Sequence, residues 1–385
     1  MTLTCSSAKS IAGPLSAQPL IGLVSEYSSN PVLLTDGAHS ETTAALLLES
    51  PIRCDLDSLH FSLVPRIRYG TETGYSSLTS DYYHVDASAQ YVDELDSLTL
   101  DGALYRDSSL NYIGGLSHGV GVRHDTSTAG VDWLRTLTER LQFDLVGATT
   151  RTLFGKVVGV AELQDYRYTS GSPTISYAVT ELDTARILGG IARYYSLDGS
   201  TASQSHNLQI GYDRKLSEIW TLSTASGYST STNYRDIDLF HFYLGTFKSH
   251  QDSATFSGSL TRQGERVKLV LSASRAQVPT GQAFLSRQDS LNITANFTQN
   301  ERWTYSTNIV VQNDSDPLTT GGTSTRRFFL ADVSAQWHWT EQWTVAMHLS
   351  KVTQDFPAQN DQPSASPTSN SVTLQITRQF YATNQ

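Results

Sequence analysis

Asn300-Glu-Arg-Trp303-Thr-Tyr-Ser-Thr-Asn-Ile309 sets the pattern of this chain: a short polar turn carrying an acid, then an aromatic residue, then strict alternation of polar and apolar side chains. The turn recurs as Asp55-Leu-Asp-Ser-Leu59, Glu94-Leu-Asp-Ser-Leu98, Thr138-Glu-Arg-Leu141, Glu181-Leu-Asp-Thr184, Ser217-Glu-Ile-Trp220, Gly264-Glu-Arg-Val267 and Thr340-Glu-Gln-Trp343. Its period of about 40 residues is that of one hairpin repeat. Alternation follows each copy, as in Leu141-Gln-Phe-Asp-Leu145, Val267-Lys-Leu-Val-Leu271 and Trp343-Thr-Val-Ala-Met-His-Leu349. A period of two places one set of side chains on each face of a sheet.

One face takes Leu, Val, Phe, Ile, Ala, Tyr and Trp, and the other takes Asp, Asn, Gln, Ser, Thr, His, Lys and Arg. The strands run to roughly 10–14 residues, longer than those of a soluble sandwich and long enough to cross a bilayer at a tilt. The expected fold is therefore all-β: a single transmembrane antiparallel up-and-down barrel of about 18 strands, with 16 as the alternative count. It occupies residues 19–385, after an N-terminal extension over 1–18 that is disordered or periplasmic. Long connections rich in Gly, Ser, Asp, Pro and Asn lie at Ser28–Ser40, Ser109–His124, Gly155–Ser170, Asp236–Gln251, Asp314–Thr325 and Pro357–Asn370. Barrels keep short turns in the periplasm and long loops outside the cell. The punctuation turns are thus expected at the inner interface, with Phe143, Trp220, Trp303, Trp337, Trp339 and Trp343 as its aromatic girdle.

Composition agrees with this reading. Only 17% of residues are charged, 38% are hydrophobic, and the longest apolar run is Ala44-Ala-Leu-Leu-Leu48. No segment approaches the roughly 18–20 apolar residues of a membrane helix. A net charge of −10 with no Lys/Arg cluster argues against a nucleic-acid partner. Cys5 and Cys54 form no Cys-x-x-Cys pattern, and two unpaired thiols are preferred to a disulfide. Met1–Gln18 lacks the basic and apolar regions of a complete signal peptide, which stands against secretion and leaves the start unexplained.

No constellation carries catalysis. Gly115-Leu-Ser-His-Gly119 matches G-x-S-x-G but sits in a Gly-rich loop with no helix to build the nucleophile elbow. The ten histidines show no metal-ligand spacing. No cofactor and no metal are expected, and the chain is read as a non-enzyme. Asp314-Ser-Asp316 is read as a solvated loop pair. Parity assigns Arg66, Arg68, Asp86, Asp101, Asp132, Asp144, Asp213, Lys268, Asp332, His338 and His348 to the polar face, where they line the pore or pair across it. Turning a basic residue to lipid instead would cost roughly 2–4 kcal/mol at the bilayer midplane. Val157-Val-Gly-Val-Ala161 makes Gly155–Ser170 the best candidate for a loop folded into the lumen.

Gly22-Leu-Val-Ser-Glu-Tyr-Ser-Ser-Asn-Pro31, Leu137-Thr-Glu-Arg-Leu141 and Val122-Arg-His-Asp-Thr-Ser-Thr-Ala-Gly-Val-Asp-Trp133 resemble the β-barrel porin family found at exopolysaccharide loci. The resemblance implies an outer-membrane barrel of a Gram-negative bacterium, associated with surface-polysaccharide export. Val372-Thr-Leu-Gln-Ile-Thr-Arg-Gln-Phe380 resembles the terminal strand read by the barrel-assembly machinery, although Tyr381-Ala-Thr-Asn-Gln385 follows it. The expected function is a porin-like channel for polar solutes or polysaccharide. The alternative is a non-conducting surface scaffold or adhesin, with carbohydrate-contacting segments such as Tyr228-Ser-Thr-Ser-Thr-Asn-Tyr234. Expected partners are outer-membrane lipid and lipopolysaccharide, the assembly machinery, and a polysaccharide or export-complex partner.

Overall fold

Six of the eight repeated turns are built by one hydrogen-bond device. In the computed structural model, Asn300 Oδ1 accepts from the N–H groups of Arg302 (2.9 Å) and Trp303 (3.0 Å). Thr340 Oγ1 accepts in the same way from Gln342 and Trp343, Thr138 from Arg140 and Leu141, and Ser217 from Ile219 and Trp220. Asp93 does so from Leu95 and Asp96, and Thr180 from Leu182 and Asp183. The second and fourth copies thus begin one residue before the quoted segments, so the shared unit is a Ser, Thr, Asn or Asp acceptor followed by Glu. A short polar side chain that satisfies two amides fixes where each strand stops. The amides of Leu95 and Asp96 hold the Asp93 carboxyl below its usual range. That cap therefore survives mild acid and is lost only as pH falls through the lowered value.

The structure describes residues 15–380 apart from 32, 34–36, 74–81, 108–122, 156–163, 240–241, 280–284, 318–322 and 356–363. The first elements are β1 (Leu15–Ala17), β2 (Leu20–Ser28), β3 (Glu41–Glu49), β4 (Ile52–Asp55), β5 (Leu59–Thr73), β6 (Tyr82–Val92) and β7 (Asp96–Asp107). Next come β8 (His124–Thr136), β9 (Leu141–Phe154), β10 (Tyr166–Ala178), β11 (Asp183–Ser196), β12 (Thr201–Lys215) and β13 (Trp220–Leu239). The rest are β14 (Phe242–Gln263), β15 (Val267–Pro279), β16 (Leu285–Thr298), β17 (Trp303–Pro317), β18 (Thr323–His338), β19 (Trp343–Asp355) and β20 (Thr368–Gln379).

These make a closed antiparallel barrel of 18 wall strands. β1 pairs with β4 in the register that β2 keeps with β3, Leu15 facing Cys54 and Leu20 facing Glu49. β3 and β4 likewise keep one register against β5. Each pair is thus a single wall strand, interrupted at Pro19 and at Pro51, which have no N–H for the ladder. Hydrogen bonds bridge the breaks, from the Gln18 amide to the Pro51 carbonyl (3.0 Å) and from Ser50 to Pro65 (3.1 Å). The barrel closes where β2 pairs with β20, from Leu20 opposite Gln379 to Ser28 opposite Ser371. Closure pairs the seam strands, the condition for a sheet to stand in hydrocarbon.

The register carries one parity around the wall. Leu23 faces Leu46 and Ile376, Ile376 faces Val345, Val345 faces Trp337, and Trp337 faces Trp303. This face is apolar yet open, with Ile210 73%, Leu23 64% and Leu208 62% exposed, as a lipid-facing exterior requires. Along β17 it rises roughly 25 Å from Trp303 to Asn313, at about 3.4 Å per residue and a tilt near 40°.

Most of the expected Asp236–Gln251 loop is strand instead, with β13 running to Leu239 and β14 starting at Phe242, and the Tyr228–Tyr234 segment lies within β13. Gly115–Gly119, Cys5 and residues 156–163 of the Gly155–Ser170 segment lie outside the described residues. Cys54 is a free thiol. Asn300→Ala removes two amide acceptors at an exposed turn and should lower the unfolding free energy by about 1 kcal/mol, with Asn300→Asp close to neutral. Urea unfolding in lipid vesicles measures both, and an unchanged Ala midpoint would show that strand pairing alone holds the turn.

Candidate functional site

The inner face is the candidate site, and the ladder registers place every sequence-predicted polar residue on it. Arg66 and Arg68 stand on β5, Asp86 on β6, Asp101 on β7, Asp132 on β8, Asp144 on β9 and Asp213 on β12. Lys268 stands on β15, Asp332 and His338 on β18, and His348 on β19. Some are paired. Arg66 donates to Glu49 (2.7 Å), Arg68 to Glu26 (3.3 Å), and His84 contacts Asp86 (2.9 Å). Arg186 bridges Asp213 (2.7 Å) and also donates to Ser223 (2.8 Å). Asp101, Asp132, Asp144, Lys268 and Asp332 form no ion pair among the described residues. Asp86, Asp101, Asp132 and Lys268 point inward and are nonetheless exposed. Glu26, Glu49 and Arg186 belong to the same face. The period-two reading that found their partners applies to them equally.

At the long-loop end the lumen narrows. β14 pairs with β15 only as far as Phe256 opposite Arg275, and above that point β14 pairs with β13 alone. The outer end of the β15–β16 hairpin leaves the wall there and turns inward. Gln277 Nε2 donates to Ser231 Oγ (3.0 Å), and Gln277 Oε1 accepts from Ser229 Oγ (3.2 Å), both serines on the inner face of β13. Leu285, fully buried, packs against Tyr166 and Tyr194 on β10 and β11. A small polar pocket lined by Tyr168, Ser170, Asn207, Ser229 and Gln277 remains between the hairpin end and the wall.

Its seat is a row of rings on the inner wall. Tyr105 contacts His124 (6.2 Å between centroids), His124 contacts Phe154 (6.2 Å), Phe154 contacts Tyr166 (6.1 Å), and Tyr166 stacks on Tyr194 (5.2 Å). Aromatic side chains therefore also occupy the inner face, where packing around Leu285 repays the apolar area of Phe154, Tyr166 and Tyr194. Behind that end, Asp314 and Arg326 are 1% and 6% exposed. Arg326 Nη2 donates to Asp314 Oδ2 (2.5 Å), and Gln288 Nε2 to Asp314 Oδ1 (2.9 Å). Asp314 is thus no solvated loop acid. It lies in β17 and ties three strands together, because burial makes an unpaired carboxylate costly. Among the described residues the constriction comes from 276–279 and 285–287, outside the Gly155–Ser170 segment that apolar composition favoured.

The predicted girdle residues cluster on the outside at the short-turn end. Trp303 stacks on Trp337 (5.9 Å), Trp337 on Trp339 (6.2 Å), and Arg378 lies over Trp343 (5.6 Å). Phe143 meets Trp133 edge-on (5.8 Å), and Trp220 opens β13 opposite Arg262. Trp133 joins the same band and donates to Asp96 (3.0 Å).

No family profile matches the chain, and no curated protein matches it. Among solved structures, the ferric citrate transporter FecA in its unliganded form is similar at 8% identity and a TM-score of 0.51, over 96% of this chain and 79% of that one. The copper transporter OprC is similar at 7% identity and 0.47, over 96% and 81%. The outer membrane protein OpdK from Pseudomonas aeruginosa is similar at 11% identity and 0.46, over 95% and 99%.

Replacing Arg326 by Gln strands the buried Asp314 carboxylate and should destabilise the barrel by about 3–5 kcal/mol. Thermal unfolding in detergent checks this, and the double change with Asp314→Asn should recover part of the loss. A single variant as stable as the parent would contradict the tie. The likeness to solved barrels gives the fold, a closed wall of the outer-membrane type.

Proposed function

We propose that the chain is an outer-membrane channel that passes small polar solutes and prefers cations. The reading rests on one observation above the others: charged side chains point inward and remain exposed inside a closed wall whose exterior is apolar. Charge in such a place needs water, and barrels of 16–18 strands are wide enough to hold an aqueous lumen. The apolar belt then meets lipid, the tryptophan rim sits at the periplasmic interface, and the hairpin end narrows the outer mouth.

The sign of the charge supplies the preference. Arg66, Arg68, Arg186 and Arg326 are each matched by an acid. Lys268, with Lys215 and Arg235 at the two ends of the wall, is then set against Asp332 and against Asp101, Asp132 and Asp144, which step diagonally across β7, β8 and β9, Asp101 facing Gly130 and Asp132 facing Val146. An acidic lining concentrates cations and repels anions. The eleven inner-face residues read from sequence are assigned to this pore lining. Export of polysaccharide rests on the sequence resemblance alone, and current block by soluble polymer fragments tests it separately.

Planar-bilayer recording tests the channel. Folded protein should give stepwise conductance, and a potassium chloride gradient should give a reversal potential of cation-selective sign. Joint replacement of Asp101, Asp132 and Asp144 by Asn should abolish most of that selectivity with little change in conductance. Folded protein that never opens would sink the channel reading, and anion selectivity would sink the charge argument.

A further inference from the structure

The lipid-facing surface carries ion pairs at several places beyond the apolar belt. Arg106 is matched by Asp125 (2.6 Å) and Arg275 by Asp289 (2.5 Å). At the short-turn end, Arg135 lies near Asp96 (3.6 Å) and Arg214 near Asp183 (3.7 Å). At one place two arginines instead face each other across the ladder, with a third beside them. Arg151 on β9 stands directly opposite Arg167 on β10. Arg167 faces Tyr195 on β11, so Arg193, two residues away, is its diagonal neighbour on the same face. All three are exposed. None has an ion-pair partner among the described residues.

The nearby acids are committed elsewhere. Asp125 is held by Arg106 and lies 3.9 Å from Arg123, and Asp165 accepts from the Phe154 amide (2.7 Å). Directly opposite positions bring Cβ atoms to about 5 Å and diagonal ones to about 7–8 Å, and like charges so placed destabilise a sheet. Three guanidinium groups side by side on a lipid-facing wall call for an anion that the described residues do not supply. Their height says where it comes from. On the same strands and the same face, Ile175, Ile187 and Ile191 are 48%, 56% and 59% exposed, and the arginines follow them toward the long-loop end. The anion therefore reaches the cluster from the lipid headgroup layer rather than from the lumen. Arg167 also lies over the Tyr195 ring (5.9 Å), which fixes one guanidinium in place.

We propose that Arg151, Arg167 and Arg193 form a binding site for the phosphate of an outer-leaflet lipid headgroup. Guanidinium forks suit phosphate because each gives two parallel N–H donors to its oxygens. The placement rests on reading the long-loop end as the cell exterior, and the site would anchor the barrel in that leaflet.

The test uses the full chain in detergent and two probes: lipopolysaccharide carrying its lipid phosphates, and the same material after enzymatic dephosphorylation. The phosphorylated probe should bind about tenfold tighter or more, the value expected for losing charge-assisted hydrogen bonds. The joint change R151Q, R167Q and R193Q should erase that difference, the joint change to Lys should restore part of it, and R214Q at the opposite rim should leave it intact. Equal binding of both probes by the parent, or unchanged discrimination by the Gln variant, would overturn the site. Loss of lipid binding in millimolar inorganic phosphate would overturn the lipid assignment in favour of free phosphate. Conductance recorded on the same samples separates the two readings. The Gln variant should conduct like the parent because its residues face lipid, so absent current with intact lipid discrimination counts against the channel and not against this site.

Discussion

Backbone hydrogen bonding in a medium without water is the constraint on which the rest of this structure depends. Hydrocarbon offers no partner to an amide, so a sheet can stand in it only if its first and last strands meet. Here they meet at β2 and β20, over a ladder that runs from Leu20 to Ser28. The prolines fall beside this seam, and their missing donors are bypassed by neighbouring bonds such as Phe380 to the Pro19 carbonyl (2.8 Å). Once the wall is closed, alternation has only two destinations. Apolar residues must face outward to lipid, and the polar set is left to fill, or to wet, the inside.

The interior then divides by how much water each part keeps. Along most of the wall, acids and hydroxyls remain accessible, so charge there needs no partner and a few residues have none. At the long-loop end the hairpin end covers the inner wall, water is excluded, and the chemistry changes accordingly. Aromatic rings join the buried serines, and the Asp314 carboxylate is matched by Arg326 and Gln288 together. The same residue types are treated differently at the two levels because burial, and not sequence pattern, sets the cost of leaving a charge unpaired.

Much of the architecture is legible in the sequence. The acid-bearing turns located the strand ends, since an Asn, Thr, Ser or Asp side chain that captures two amides is a local device readable from local sequence. Parity alone placed Asp101, Lys268 and His348 on the inner face, because a period of two has only two phases. The hairpin end was not legible. The alternation of β15 and β16 reads the same whether a strand end stays in the wall or peels away from it. The inner-wall rings Phe154, Tyr166 and Tyr194 are hidden for a related reason: residue type alone sends Phe and Tyr to the lipid face, but a covered inner wall also rewards apolar area. Asp314 was taken for a loop acid because its partner, Arg326, lies across a turn that sequence spacing does not pair. The arginine cluster escaped notice since Arg151, Arg167 and Arg193 are distant in sequence and adjacent only through the register.

A closed wall with lipid outside and water inside is best tested by labelling single cysteines along β17. In a chain first freed of Cys5 and Cys54, cysteine is placed in turn at each position from Thr304 to Val311, and the protein is folded into vesicles. Even-numbered positions, which share the inner face with Asn308, should react with a water-soluble thiol reagent. Odd-numbered positions, which share the outer face with Ile309, should resist it and report a lipid environment when spin-labelled. Reactivity that rises and falls with a period of two supports the account, and uniform reactivity along the strand would contradict it.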